Sequence, residues 1–162
     1  FSIFHSFGSG HASEKYGLIF QNRGSGFTLQ KNHPNELAGG KRPLHTIIPA
    51  MVQKNNKLLL VYGVMGGQYQ PTGHIRVLSN IIDHGLDIQS AIDYPRSFSD
   101  SAGLLLEAGY SSRIAGQLET MGHQIIRPKT PLGGAQGILI DHDRDILIGG
   151  SDPRKDGMAL GY

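Results

Sequence analysis

Two adjacent glycines, Gly66-Gly67, stand a few residues beyond a continuous apolar run, Leu58-Leu59-Leu60-Val61-Tyr62, which breaks at Gly63. A buried strand that ends in a glycine turn and feeds a helix points free backbone N–H groups into one small space. Glycines there let a reacting atom approach the backbone closely. Two chemistries use such a turn. A Walker-type phosphate loop needs a lysine directly after its last glycine, and here Gln68 and Tyr69 follow Gly67. A dinucleotide fingerprint with an acidic residue for the ribose is absent as well. An oxyanion hole needs no side-chain charge, only N–H groups aimed at the oxygen that becomes negative. The residues leave two readings open: an oxyanion hole, which demands a nucleophile nearby, and a tight turn without a ligand. The first places the pair at the mouth of a pocket, with at least one N–H lacking a backbone partner.

Other chemistry-bearing side chains are less pointed. The eight histidines show no H-x-H, H-x-x-x-H or H-E-x-x-H spacing, so no metal site is expected. Asp141-His142-Asp143 falls in a turn, where exposed polar residues are the default, and Asp83-His84 falls at a helix end, where it serves as a cap. His45-Thr46 follows Lys41-Arg42-Pro43 at the start of an apolar stretch and is either satisfied locally or lines a pocket. Asp93, Arg96, Asp152 and Arg154 sit beside prolines and turns and read as structural ion pairs. With no cysteine in the chain, disulfides, thiolate metal sites and a Cys nucleophile are excluded. No cofactor is implied.

The elements that must position these residues are short. At 162 residues the chain is the size of one domain, taken as 1–162 with the first residues of its subunit lacking, and can bury a proper core. Glycine is used 23 times, roughly double the average, and it clusters at turns, as sharp connections between packed elements require. A net charge of +2 with no basic patch argues against nucleic acid, and no apolar run reaches the ~18–20 residues of a membrane span. Strands are expected over 1–7, 16–21, 44–53 and 57–62, the last two forming a hairpin around Asn55-Asn56, with a surface loop over 28–42. A helix starts near Pro71 or Thr72 and stops at Gly85; Asp87 caps a second over 88–93, ended by Pro95. Leu104 opens a strand over 104–107. Ser111 or Ser112 caps a third helix with Ile114, Leu118 and Met121 on one face, closed by Gly122. Strands over 124–127, 135–141 and 146–148 complete an α+β layered domain with a largely antiparallel sheet. Phe1 in place of a Met leads to the expectation that a cleavage or a further segment precedes it.

Four stretches carry a resemblance: NRGSGF (22–27), HPNELAGGKRPLHTIIPAM (33–51), MGGQYQPTGHIRVLSNIIDHGLDIQSAIDYPR (65–96) and GGSDPRKDGMALGY (149–162). Together they resemble the small subunit of the γ-glutamyltransferase family, nearly end to end. The resemblance implies an N-terminal-nucleophile hydrolase with a four-layer αββα sandwich. It implies a precursor that cleaves itself into two subunits, so the large subunit is the expected partner, in a heterodimer or a dimer of heterodimers. The nucleophile would be a threonine at the small subunit's N-terminus, upstream of Phe1, with its own α-amine as base. The substrate would be a small-molecule amide.

Carried over by position, Gly66 and Gly67 match the oxyanion-hole pair and Ser2 matches the hydroxyl that tunes the nucleophile. His45 and Thr46 match two serines that hold the substrate's α-carboxylate. Phe4 replaces an asparagine, and Arg23 and Gly26 replace polar or acidic residues that bind the α-amino group of a γ-glutamyl donor. An arginine repels an ammonium and suits a carboxylate, so the departures resemble the amidohydrolase and acylase branch, such as oxamate amidohydrolase. The alternative from another class is a non-catalytic structural or binding homologue that has lost processing. The compartment stays undecided.

Overall fold

The structure is a computed structural model describing residues 2–162. It divides into two compact units, 1–47 and 48–162.

The first unit has almost no regular structure. Its only elements among the described residues are a 3-10 turn, Arg23–Gly26, and two isolated bridges, Ala12 with Ile19 and Thr28 with Glu36. The strand expected over 1–7 does not form: its first residue lies outside the described residues, and the rest is a series of turns in which Phe4 and Ser6 take positive φ, +79° and +47°. The side chain of Asn22 organises those turns, donating to the His5 and Gly8 carbonyls while accepting from the His5 N–H. Gly8 is needed there, since its φ is +72° and a Cβ would lie 2.3 Å from the Phe20 carbonyl oxygen. The expected 16–21 strand reduces to the single bridge at Ile19, because no second strand runs beside it among the described residues.

The second unit holds a four-stranded antiparallel sheet in the order β1-β2-β6-β7: Ala50–Lys54, Lys57–Met65, Gly134–Asp141 and Ile146–Ser151. The first strand begins at Ala50, later than the expected 44–53, because Pro49 has no N–H to give a ladder. Asn55 and Asn56 turn the β1–β2 hairpin with φ of +53° and +60°, as a two-residue type I′ turn requires. A smaller sheet, β3-β4-β5, comprises Ser97–Asp100, Gly103–Leu106 and Ile125–Ile126, with β4 and β5 parallel. The polar sequence of β3 hid it from pattern reading, and β5 is shorter than the expected 124–127.

The helices match their capping signals. Helix α1, Gln70–Ile82, is followed by Gly85 at φ +66°, which turns the chain back so that the Leu86 N–H reaches the Asn80 carbonyl. Asp87 caps α2, Ile88–Asp93, by accepting from the Ser90 N–H, and Ser111 caps α3, Ser112–Thr120, by accepting from Ile114. Met121 lies past the end of α3 and is exposed, so the apolar face of α3 runs through Ala115 instead. The core forms where α1 and α2 cover one face of the main sheet: Leu60, Tyr62 and Val64 from β2 and Ala135 from β6 pack against Val77, Ile88 and Ile92. Helix layer on sheet is an α+β arrangement, as expected.

Candidate active site

The β2 strand is interior to its sheet and runs directly into the glycine pair. Gly66 has φ +133° and Gly67 has φ +59°. The first value is closed to residues with a side chain, and a Cβ on Gly66 would lie 2.8 Å from the Gly133 Cα. Around Gly67 a Cβ would meet nothing within 4 Å. A short 3-10 turn, Gly67–Tyr69, then leads into α1, whose second residue is Pro71. Among the described residues neither the Gly66 nor the Gly67 N–H donates to any acceptor; the Gly66 carbonyl accepts from Tyr69. Two unengaged N–H groups thus lie at the exposed mouth of a strand-to-helix turn, beside the positive end of the α1 dipole. Tyr69 is buried beneath them, its ring edge-on to Phe98 at 5.8 Å between centroids.

A cleft of about 390 Å³ in the same unit lies elsewhere, between Pro95, Glu107, Pro128 and Arg154, and Gly66 and Gly67 do not line it.

In the first unit four of the residues singled out by the sequence meet. The Arg23 guanidinium donates to Thr46 Oγ1 at 2.7 Å through Nη1 and to Ser2 Oγ at 3.1 Å through Nη2. Its carbon lies 5.3 Å from the centre of the Phe4 ring, a cation–π contact. Ser2 Oγ also accepts from the Phe4 N–H at 3.2 Å, which leaves the Ser2 proton free to be donated. Arg23 is half-buried and forms no ion pair among the described residues. Gly26 lies against Leu44, with ordinary van der Waals room for a Cβ. His45 is exposed, beside half-buried Thr46, and makes no side-chain hydrogen bond among the described residues.

The ion pairs expected around Arg96 and Arg154 form a network. Arg96 pairs with Asp152, and Arg154 pairs with both Asp152 and Glu107. Asp93 is the exception: its carboxylate accepts from Gln89 and joins no ion pair among the described residues. Burial pushes the Glu107 and Asp152 carboxyls upward, but hydrogen bonds from the two arginines and from backbone N–H groups outweigh it and hold both below the usual carboxylate range. Sequence reading missed Glu107, which stands at the end of the apolar strand β4, and a buried acid there is a signal only once its partners are known. Asp141 ends β6, and His142 and Asp143 lie in the turn that follows, with Asp141 accepting from Arg144. No group of three His, Asp or Glu residues able to hold a metal exists among the described residues.

Comparison with known proteins adds an independent line. The family description "Gamma-glutamyltranspeptidase" matches residues 1–162. The chain is 34% identical to the "Glutathione hydrolase-like YwrD proenzyme" of Bacillus subtilis (strain 168), across 99% of this chain and 32% of that protein. It is 34% identical to the "Oxamate amidohydrolase proenzyme" of Klebsiella pneumoniae, again across 99% of this chain and 32% of that protein. Among solved structures it superimposes on a cephalosporin acylase from Bacillus halodurans with a TM-score of 0.88 and 39% identity, covering 99% of this chain and 31% of that one. The chain spans about a third of the length of the curated relatives it matches.

Proposed function

Because this chain belongs to the gamma-glutamyltranspeptidase family, we propose that it is the larger part of the small subunit of an N-terminal-nucleophile amide hydrolase. A threonine upstream of Phe1 attacks the amide carbonyl, its hydroxyl proton passing to its own α-amine. Gly66 and Gly67 donate their N–H groups to the oxygen that becomes negative. Ser2 donates its hydroxyl proton to the nucleophile and orients it. The amine leaves with the proton, and water or a second amine then takes the acyl group. The observation that carries this reading is the pair of unengaged N–H groups at Gly66 and Gly67.

The acyl group is proposed to bear a carboxylate and no α-amine. Arg23 supports this, being a half-buried cation with hydroxyl partners and no carboxylate partner among the described residues. The relative named for oxamate, a short amide with a carboxylate, agrees in chemistry. His45 and Thr46 contribute further polar contacts to that group, and Phe4 and Gly26 leave an ammonium without an acceptor.

The large subunit of the same precursor is the proposed partner. The relatives are proenzymes, and the face of the main sheet turned away from α1 and α2 carries Met51, Val61 and Ile138 in one row and Ile140 and Leu147 in the next. Mass spectrometry of the mature small subunit from the full-length gene tests the central claim. The reading requires a threonine at its N-terminus and loss of amidase activity when that residue becomes alanine. A mature chain without a nucleophile there gives the non-catalytic reading instead.

A further inference from the structure

The segment entering β6 is held at successive positions. The Leu132 N–H donates to Glu107 Oε1 at 2.9 Å, and its carbonyl accepts from Arg96 Nη1 at 2.8 Å. Gly134 pairs with Met65 across the ladder, and the Ala135 N–H donates to Asp152 Oδ2 at 2.7 Å. Arg154 ties the two acids together, donating to Glu107 at 2.7 Å and to Asp152 at 3.3 Å. Between these anchors lies Gly133, with φ +62°.

Gly133 touches the glycine turn backbone to backbone. A Cβ on Gly133 would lie 2.3 Å from the Met65 carbonyl oxygen, and one on Gly66 would lie 2.8 Å from the Gly133 Cα. No flexible side chain cushions the contact, so a shift of 132–134 must pass into residues 65–67. The Tyr69 ring closes the other side: it would lie 2.6 Å from the same Gly133 Cβ and 3.3 Å from that on Gly66. A buried cluster of four charges is poor value as glue, because apolar residues of equal volume hold a core as well. Its distinctive property is directional, since each carboxylate oxygen fixes the N–H it accepts from.

We propose that Glu107, through the Leu132 N–H, and Gly133 are positioning residues for the Gly66 and Gly67 N–H donors. The proposal rests on the oxyanion reading above. Displacing those donors by a fraction of an ångström leaves substrate binding intact and weakens only the contact made in the transition state.

The test uses the processed full-length protein with an amide it turns over, assayed well below each variant's melting temperature. Glu107→Gln keeps the volume and loses one acceptor; it should lower kcat by about 10- to 100-fold with KM nearly unchanged. Glu107→Asp keeps the charge, withdraws it by one methylene and should show a smaller loss of the same kind. Combined with Gly67→Ala, either loss should fall well short of multiplying, because both act on the same donors. Wild-type kcat in a folded Glu107 variant, or losses that multiply in full, would overturn the proposal. If Glu107→Gln does not fold, Glu107→Asp decides by the same two readouts. If Gly67→Ala alone leaves kcat intact, the oxyanion reading has failed, and that result is separate from anything Glu107 does.

Discussion

The Arg96 guanidinium meets the Asp152 carboxylate where neither side chain is more than 2% exposed. Arg96 also donates to the Leu132 and Ile92 carbonyls, and Asp152 accepts from the N–H groups of Ala135 and Arg154. Arg96→Ala therefore removes the fully buried cation from the Asp152 carboxylate, which keeps only the longer contact to Arg154, and takes a donor from the Leu132 and Ile92 carbonyls. It should destabilise the protein by about 3–5 kcal/mol, read by chemical unfolding. The double variant Arg96→Met with Asp152→Leu should recover only part of that, because the Ala135 and Arg154 N–H groups stay unpaired.

The depressed carboxyls of Glu107 and Asp152 set the acid limit. A carboxyl with a lower pKa when folded contributes stability that is fully present above its unfolded value, about 4. That contribution is lost as pH falls through the folded value. The contribution of these two carboxylates should thus be constant from pH 7 to 5 and decline below about pH 4. Asp152→Asn should lower the plateau yet make the acid limb shallower, and unfolding curves across pH would show both effects.

The two glycines of the turn should respond differently to the same change. Gly66→Ala meets the Gly133 Cα and a forbidden φ, so it should lower stability and turnover together. Gly67→Ala has open space and a left-handed φ of +59°, costing about 1–2 kcal/mol. A methyl group there would stand in the open space beside the N–H donors of the oxyanion reading, so turnover should fall on the order of 10²–10³. Melting temperature and kcat measured side by side distinguish the two.

Local signals were legible where the backbone alone decides. Asn55-Asn56, Asp87, Ser111 and Gly85 each fixed a turn or helix end in sequence, because positive φ and capping oxygens belong to particular residue types. The region before residue 48 misled the pattern, since alternation of apolar residues in FSIFHSF says nothing about whether a partner strand exists to receive it. Glu107 and Gly133 stayed hidden for another reason: apart from Arg96, the partners that define them, Leu132, Arg154 and Met65, stand 25 or more residues away in sequence. The Arg23, Ser2, Thr46 and Phe4 cluster became visible only through resemblance, as nothing in their spacing links them.

The main sheet makes a prediction about assembly. Met51 is 71% exposed and Leu147 68%, and they lie on the same face as Ile138, opposite the helices. An apolar sheet face of this kind calls for a second layer. The chain should associate with its large subunit through an interface above about 2,000 Å². Ile138→Asp should block that assembly, and a monodisperse, stable solution of this chain alone would contradict it.

Arg23 makes the sharpest statement about substrate. Its two outer nitrogens are already aimed, one at Thr46 and one at Ser2, and the Phe4 ring supports the plane. A guanidinium fixed this way and lacking a carboxylate partner among the described residues can take a substrate carboxylate through charge-assisted hydrogen bonds. An α-ammonium beside it would be desolvated without a partner, at a cost of several kcal/mol. Glutathione should therefore be a poor donor, and glutaryl or oxamate-like amides better ones, when kcat/KM values are compared on the processed enzyme. Arg23→Ala should harm the carboxylate substrates far more than glutathione. The loss for a substrate carboxylate should reach about 10- to 100-fold, the 1.5–3 kcal/mol of a charged hydrogen bond. Equal losses across substrates would reduce Arg23 to a structural tie between Ser2 and Thr46, and a tenfold preference for glutathione would restore the plain γ-glutamyl reading.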